Sequence, residues 1–241
     1  MGQYRVEGFQ RDLEALGISL SEGQLGQFLR YYELLAEWNG RMNLTAITEY
    51  QEVLKKHFVD SLSLTRVCSP ARIGSLIDVG TGAGFPGLAL KIAFPGLQVT
   101  LLDSLNKRIR FLEAVIEELK LKDVKAVHSR AEDYAATGSW REGFDLCVSR
   151  AVANLSTLSE YCIPFVKIGG YFIAYKSEKA DSEVSEARKA INLLGGRIKE
   201  RAEFTLPDSD IRRSLVVVEK ARRTPEKYPR KAGLPSKEPI Q

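Results

Sequence analysis

The sequence predicts an α/β protein with a mostly parallel sheet, preceded by a small helical unit. Beyond Pro70, short and nearly continuous apolar segments alternate with amphipathic ones, the pattern of parallel strands covered by helices on both faces. Before Pro70, apolar residues recur at spacings of three and four, which is typical of helices. A length of 241 residues with 44% hydrophobic content is enough for one to two globular domains.

The helical unit is predicted to span residues 3–67. Ser21 and Gln24 form a capping box that should begin its second helix, and Asn39-Gly40 should end that helix. A third helical stretch is expected over residues 49–67. No phosphate loop or metal cluster is visible here, so packing is the default interpretation, and a share in substrate binding stays open.

Seven strands are predicted after this unit. Their expected ranges are 75–79, 98–102, 124–128, 144–149, 170–175, 197–204 and 214–219. Helices are expected over residues 85–94, 105–119, 154–166 and 178–194. The last two strands should form an antiparallel pair at the sheet edge. The chain is therefore divided into a helical subdomain (1–70), a sheet domain (71–220) and a basic tail (221–241).

Positive charge is concentrated at the end of the chain. The net charge is +4, but residues 220–241 alone carry +5 and the remainder carries −1. Such a cluster attracts phosphates, although a solvated, disordered end is an equally simple interpretation. No apolar run is long enough to span a bilayer, and the N-terminus lacks the apolar stretch of a signal peptide, so a cytoplasmic protein is expected.

The three cysteines are scattered without a C-x-x-C pair, so neither a metal nor a redox site is expected. The chemistry is instead predicted at a glycine-rich loop, residues 78–87, which follows the first strand. Glycines such as Gly80 and Gly82 let the backbone turn sharply and let a nucleotide-like cofactor approach. The glycine spacing also satisfies the dinucleotide fingerprint, so the loop alone does not identify the cofactor.

Asp78 favours S-adenosylmethionine over a dinucleotide as the cofactor. A carboxylate here is repelled by a pyrophosphate but favourable beside the sulfonium and ammonium of S-adenosylmethionine. The alternative is a buried acid that binds loop amides. Asp103, at the end of the second strand, can accept ribose hydroxyls of either cofactor. Methyl transfer is therefore the favoured chemistry.

Later strands also end in polar residues. Ala131 and Glu132 follow the third strand, where an amide and a carboxylate can bind the edge of an adenine; helix capping is the alternative for Glu132. Arg150 and Lys176 end the fourth and fifth strands and should point toward the same site. Surface ion pairing is the alternative for Lys176. An unpaired charge at Arg150 would be costly in its apolar surroundings.

These motifs resemble the bacterial glucose-inhibited division protein B family, the ribosomal RNA small-subunit methyltransferases G. The resemblance rests on the glycine loop, Leu102-Asp103-Ser104, Arg130-Ala131-Glu132 and Ser149-Arg150-Ala151. It extends to Asn43-Leu44-Thr45, His57-Phe58 with Asp60-Ser61-Leu62, and Lys227-Tyr228-Pro229-Arg230, so it covers nearly the whole chain.

The resemblance implies a Rossmann-like, class I S-adenosylmethionine-dependent methyltransferase that methylates ring nitrogen 7 of a guanosine in the 530 loop of 16S ribosomal RNA. Its cofactor contacts would be Gly80, Phe85, Asp103, Ser104, Leu105, Ala131, Glu132 and Arg150, to which the residue patterns add Asp78 and Gly82. Arg150 is also the expected catalytic residue. RNA contacts are expected at Lys176, Arg223, Lys227, Tyr228, Arg230 and Lys231.

The residues after the fourth strand agree with this function. Ser149-Arg150-Ala151-Val152 contains neither the polar-Pro-Pro-aromatic loop typical of amine methylation nor a cysteine nucleophile for carbon methylation. Guanine nitrogen 7 has a lone pair and no proton, so it needs positioning rather than a base. An S-adenosylmethionine enzyme for another RNA or a small molecule is the alternative, and an assembly factor without catalysis is a third. The expected partner is 16S RNA or the small subunit, bound by a monomer.

Overall fold

The structure, a computed structural model, describes residues 4–136, 138–177 and 180–241. Its centre is a seven-stranded sheet of order β3-β2-β1-β4-β5-β7-β6. The strands are β1 (Ser75–Val79), β2 (Gln98–Asp103), β3 (Val124–His128), β4 (Phe144–Arg150), β5 (Val166–Lys176), β6 (Gly196–Thr205) and β7 (Arg212–Lys220). The first five are parallel, and β7 lies antiparallel between β5 and β6. The predicted edge pair is thus observed.

Helices connect the strands and form the N-terminal unit. They are α1 (Glu7–Ala15), α2 (Glu22–Met42), α3 (Tyr50–Val53), α4 (Asp60–Leu62), α5 (Gly87–Ala93), α6 (Asn106–Glu118), α7 (Ala131–Ala136), α8 (Leu155–Cys162), α9 (Ala180–Leu193) and α10 (Leu234–Lys237). The predicted starts at Gln3 and Glu178 lie outside the described residues. No described helix is both long and apolar enough to cross a membrane.

The capping box of α2 is confirmed, but its predicted end is wrong. The Ser21 side chain accepts from the Gln24 amide, and the Gln24 side chain accepts from the Ser21 amide. The helix passes through Asn39-Gly40 to Met42, because Asn43 rather than Gly40 adopts the left-handed conformation that ends it. Asn39 accepts instead from the amide of Thr45 through its side chain at 2.8 Å, which fixes the chain beyond the helix.

The predicted third helix, residues 49–67, is also irregular. A π-helical stretch, Leu54–Val59, separates α3 from α4, and a 3-10 turn, Ser63–Arg66, follows. The wider π turns carry His57, which has a ring nitrogen within hydrogen-bonding distance of Thr45. Such π segments are frequently found at functional sites.

The helical unit packs directly onto one face of the sheet. Phe28, Tyr31 and Phe58 form an aromatic cluster with Phe85, which belongs to the glycine loop. The hydroxyl of Tyr31 donates to the carbonyl of Ala83 in the same loop at 2.5 Å. One hydrophobic cluster therefore includes both the helical unit and the sheet, while a second covers the opposite face under α8 and α9. The three-part domain division remains a prediction.

Candidate functional site

The glycine loop is held at both ends by Asp78. Oδ2 of this carboxylate accepts from the Thr81 hydroxyl at 2.6 Å and from the Gly87 amide at 2.8 Å. A Cβ added at Gly87 would lie 2.4 Å from Leu101 and 2.9 Å from this oxygen, so only glycine fits. Gly80 and Gly82 have φ angles of +70° and +62°, which other residues rarely adopt.

Asp78 is fully buried, and burial raises its pKa to about 6. Its second oxygen, Oδ1, has no hydrogen-bond partner among the described residues. The geometry supports the alternative interpretation, an acid that organises the loop amides. Direct contact with the cofactor's positive groups remains a prediction.

A cavity of about 550 Å³ lies above the carboxyl ends of the parallel strands. Eight of the predicted cofactor residues line it, namely Gly80, Gly82, Phe85, Asp103, Ser104, Ala131, Glu132 and Arg150. Asp78 and Leu105 do not line this cavity of the described chain. Parallel α/β sheets bind ligands at this position, so the place of the cavity agrees with the expected cofactor site.

Asp103, at the end of β2, contacts the glycine loop, Leu105 and Arg108 of α6. Its carboxylate accepts from the amides of Gly82 and Leu105, each at 2.9 Å, and pairs with Arg108 at 3.1 Å. The side chain is 2% exposed. The carboxylate therefore fixes the glycine loop relative to β2, and its predicted contact with ribose would add to this role.

Glu132 is held by the far end of the chain. Its Oε1 accepts from the amide of Gly233 at 2.8 Å, and the residue is 5% exposed. Ser236, three residues farther on, lines the cavity itself, as does Tyr161 of α8. The C-terminal residues therefore form part of the predicted adenine end of the site.

We call residues 221–241 the C-terminal strap, because this segment is fastened across the protein. Arg230 forms a two-pronged ion pair with Glu160, whose side chain is 1% exposed. Arg141 donates to the carbonyls of Thr224 and Tyr228. The disordered end considered from the sequence is not observed, since these contacts order the segment.

The predicted RNA contacts accordingly differ in their availability. Arg230 is paired with Glu160, and Tyr228 is buried in the core under α8 and α9. Lys176 donates to Glu183 at 2.6 Å and to the Ala153 carbonyl. This is the ion pairing expected from the sequence as the alternative for Lys176. Arg223, Lys227 and Lys231 are exposed, as are Arg222 and Lys237 of the strap. All of these RNA roles remain predictions.

Arg150 is the centre of a network that the sequence did not reveal. Its Nη1 donates to Asp60 at 2.7 Å and to the Lys56 carbonyl at 3.2 Å, while Nη2 lies 3.2 Å from Nδ1 of His57. Arg213 pairs with the other oxygen of Asp60. The guanidinium also lies 5.3 Å from the ring centroid of Phe85. The predicted catalytic residue is thus rigidly held.

His57 belongs to this network and lines the cavity together with Leu44 and Thr45; we call these three residues the N-terminal wall. Its ring stacks on Phe85 at a centroid distance of 4.5 Å. Burial, followed by the positive charge of Arg150, lowers the pKa of His57 to about 3. The imidazole is therefore neutral. The sequence motifs contained His57 and Asp60, but only the fold brings them to Arg150.

The site fits S-adenosylmethionine in its chemistry. The buried Asp78 Oδ1 is an unpartnered acceptor among the described residues, Gly82 has open space beside its backbone, and Asp103 carries acceptor oxygens at the end of β2. A three-residue metal cluster of His, Cys, Asp or Glu is absent from the described residues. The residues present thus match the methyl donor predicted from the sequence.

Solved structures resemble the fold of this chain. A chain from the complex between the Haloferax volcanii Trm112 methyltransferase activator and a methyltransferase has a TM-score of 0.56 at 15% identity, covering 78% of this chain and 98% of the other. M. jannaschii TYW2, solved with AdoMet, has a TM-score of 0.54 at 13% identity, covering 72% and 77%. The predicted fold class is confirmed.

Sequence comparisons establish the family. The model of the GidB family, rRNA small subunit methyltransferase G, matches residues 24–212. A protein of Lachnoclostridium phytofermentans named ribosomal RNA small subunit methyltransferase G is 53% identical, with 96% of each chain covered. A Bacillus cereus protein of the same name is 49% identical and covers 98% of this chain and 99% of its own. The predicted enzyme class and methyl donor agree, and this chain belongs to the ribosomal RNA small-subunit methyltransferase G family.

Proposed function

We propose that this protein transfers a methyl group from S-adenosylmethionine to ring nitrogen 7 of a guanosine in the 530 loop of 16S ribosomal RNA. One observation carries the choice of acceptor atom: the acids and the histidine of the cavity are already occupied by hydrogen bonds. Asp103 accepts from two amides and Arg108, Glu132 accepts from Gly233, and His57 faces Arg150. Guanine nitrogen 7 requires no general base, whereas an amine or hydroxyl requires proton removal.

The residues of the site then act by holding and orienting the reactants. S-adenosylmethionine supplies an electrophilic methyl group on a positively charged sulfur. Asp103 fixes the glycine loop through the Gly82 amide, and Asp78 fixes its two ends. Arg150 is kept in one position by Asp60 and His57, so little reorganisation is needed when the base enters.

The relatives carry ribosomal RNA and its small subunit in their names, which supports this substrate for the present chain. The exposed cations of the C-terminal strap suit a phosphate backbone. We infer a monomer in the cytoplasm as the working form. A small-molecule substrate is the alternative, and the accessible cations of the strap weigh against it.

The test is to incubate the protein with labelled methyl donor and, separately, naked 16S RNA, small subunits or a metabolite extract. Label in RNA, released as 7-methylguanine, is the expected result. Label in a small molecule, or in an amine of another base, would overturn the proposal. Parallel reactions with naked RNA and subunits also identify the form of the substrate.

The proposed cofactor site has a separate test. Asp103→Ala should weaken S-adenosylhomocysteine binding by roughly 1.5 to 3 kcal/mol, the range for hydrogen bonds to a charged group. Arg108→Ala is the matched control, since it removes the partner of Asp103 and leaves the carboxylate. Calorimetric titration measures both variants. Unchanged affinity in folded Asp103→Ala would remove this residue from the ribose site, and tight binding of a nicotinamide dinucleotide would contradict the cofactor.

A further inference from the structure

Thr45, His57 and Arg150 form a continuous hydrogen-bonded chain along one side of the cavity. Nε2 of His57 lies 2.9 Å from the Thr45 hydroxyl, and Nδ1 lies 3.2 Å from Nη2 of Arg150. The Thr45 hydroxyl also accepts from the amide of Ile47 at 3.1 Å. All three members of the chain line the cavity.

The direction of each hydrogen bond follows from Arg150. A guanidinium has only donors, so Nδ1 of His57 must accept, and the proton of the neutral ring must lie on Nε2. Nε2 therefore donates to Thr45. With a second bond from the Ile47 amide, both lone pairs of the Thr45 hydroxyl are used, and its own proton is left to donate.

Arg150 also retains unused donors. Three of its five N–H groups go to the Lys56 carbonyl, Asp60 and His57. The remaining two, one on Nη2 and one on Nε, have no partner in the described part of the chain. The Arg150 side chain is 14% exposed and lines the cavity. This side of the cavity thus presents donors from both Thr45 and Arg150.

The donors lie next to the loop proposed to hold the methyl donor. The His57 ring stacks on Phe85, and the guanidinium of Arg150 faces the same ring. Val152 borders Gly80 so closely that a Cβ at Gly80 would lie 2.5 Å from it, and this valine is 40% exposed. Leu44 adds a second apolar side chain to the cavity. A flat base therefore meets polar donors and apolar surfaces in one place.

We propose that Thr45 and Arg150, both oriented by His57, form the acceptor-base subsite and select a purine that presents an oxygen at position 6. This inference rests on the proposed function and names how the target base is distinguished. Guanine carries acceptors at O6 and N7, whereas adenine has an amine at position 6. The donor array binds O6 and leaves N7 free for the methyl group. An amine in that place meets only donors and is rejected.

The test compares target bases that share N7 but differ at position 6. RNA carrying guanosine or 2,6-diaminopurine at the target is methylated by the wild-type protein and by Thr45→Val, with Thr45→Ser as the matched control. The serine keeps the hydroxyl, and the valine keeps the shape. Wild type should prefer guanosine by roughly a hundredfold in kcat/KM, and Thr45→Val should lower that preference by about tenfold. Thr45→Ser should retain it.

His57→Phe supplies a second, independent variant. Phenylalanine keeps a flat ring against Phe85 but neither accepts from Arg150 nor donates to Thr45. It should lower the preference for guanosine over 2,6-diaminopurine about as much as Thr45→Val does, and calorimetric titration with S-adenosylhomocysteine checks that the variant is folded. Such selective loss is not expected from a general structural defect.

Three results would overturn the subsite: equal methylation of both bases by wild type, unchanged preference in Thr45→Val and His57→Phe, or equal loss in Thr45→Val and Thr45→Ser. Failure of the proposed function looks different, because wild type would then place no methyl group on N7 of the guanosine RNA. The wild-type reaction with guanosine therefore separates the two failures.

Discussion

Segments from opposite ends of the chain line the cavity, and they use their polar residues in different ways. In the N-terminal wall, Thr45 and His57 line the cavity and contact one another. In the C-terminal strap, Arg230 is paired with Glu160, whose side chain is 1% exposed. From the sequence, packing was the default interpretation of the first segment, with a share in substrate binding left open, and phosphate binding was expected for the second.

The comparison shows that a charge in the sequence does not establish an available charge in the fold. Arg230 lies in the most basic part of the chain, yet its guanidinium satisfies a carboxylate that is 1% exposed. Thr45 and His57 carry no net charge, yet their hydrogen bonds leave a donor at the cavity. Four predictions test how far this difference between the two segments extends, in order of decreasing expected effect.

The largest effect is expected on the pH dependence of the free energy of unfolding, through His57 of the N-terminal wall. The pKa of His57 is lowered to about 3, against about 6.5 in an unfolded chain, by burial and then by Arg150. Between these values the unfolded state binds the proton and the folded state does not. Stability is therefore fully present above pH 6.5 and should fall by about 1.4 kcal/mol per pH unit below it.

Protonation of Asp78 changes the stability in the opposite direction over part of this pH range. Its raised pKa of about 6 means that the folded state binds the proton more readily between pH 6 and about 4, so its contribution falls as pH rises. Denaturant unfolding of wild type and His57→Phe at several pH values isolates His57 by difference. His128→Phe, at the exposed second histidine, is the control. A constant difference across pH 4 to 6.5 would contradict the neutral His57.

The next effect concerns the attachment of the strap. Arg230→Ala leaves Glu160 buried without its partner, and breaking such a pair typically costs about 3 kcal/mol or more. Lys227→Ala, in the same strap but exposed, should change the free energy of unfolding by less than about 0.5 kcal/mol. Chemical denaturation measures both. Equal, small effects would mean that Arg230 is as free as its neighbours.

A third prediction compares two arginines that share Asp60. Arg150→Ala should lower kcat/KM by about a hundredfold, because Arg150 lines the cavity and is proposed to hold the target base there. Arg213→Ala removes the other partner of Asp60 but does not alter the cavity lining, so its effect should stay within a few-fold. Thermal unfolding serves as the stability control. A similar loss of turnover in both variants would make Arg150 a structural ion pair.

The sequence was sufficient to locate those elements that have a local sequence pattern. The apolar runs located β1 to β4, and the glycine loop and Asp103 followed because ligand-binding residues come directly after such strands. The end of α2 was misplaced, because Asn43 competed with Gly40 for the left-handed position.

The network around Arg150 had no local signal. Asp60 lies 90 residues before Arg150, and their contact depends on how the helical unit packs onto the sheet. The pair of Glu160 and Arg230 is separated by 70 residues. A buried carboxylate in α8 requires a partner, but the spacing of residues does not reveal which of the strap's cations supplies it. These buried ion pairs therefore could not be predicted from the sequence alone.

The smallest effect is expected on the salt dependence of RNA affinity, through the exposed cations of the strap. Arg223, Lys227 and Lys231 are exposed and suited to phosphates, whereas Arg230 is paired. Replacing these three by alanine should flatten the plot of log affinity against log salt by up to about 2 units, since each phosphate contact on a single strand contributes about 0.7. Adding Arg230→Ala should destabilise the protein without flattening the slope further, in contrast with the sequence-based expectation that Arg230 also contacts RNA.

Tyr228 completes this test because it lies beside the exposed Lys227. Its ring is buried in the core under α8 and α9, so Tyr228→Ala should lower the free energy of unfolding and leave the salt slope unchanged. RNA affinity is measured at several salt concentrations, at a temperature where each variant is folded. A slope that falls only when Arg230 is replaced would show that the strap opens to bind RNA, and an unaltered slope in every variant would place RNA binding elsewhere.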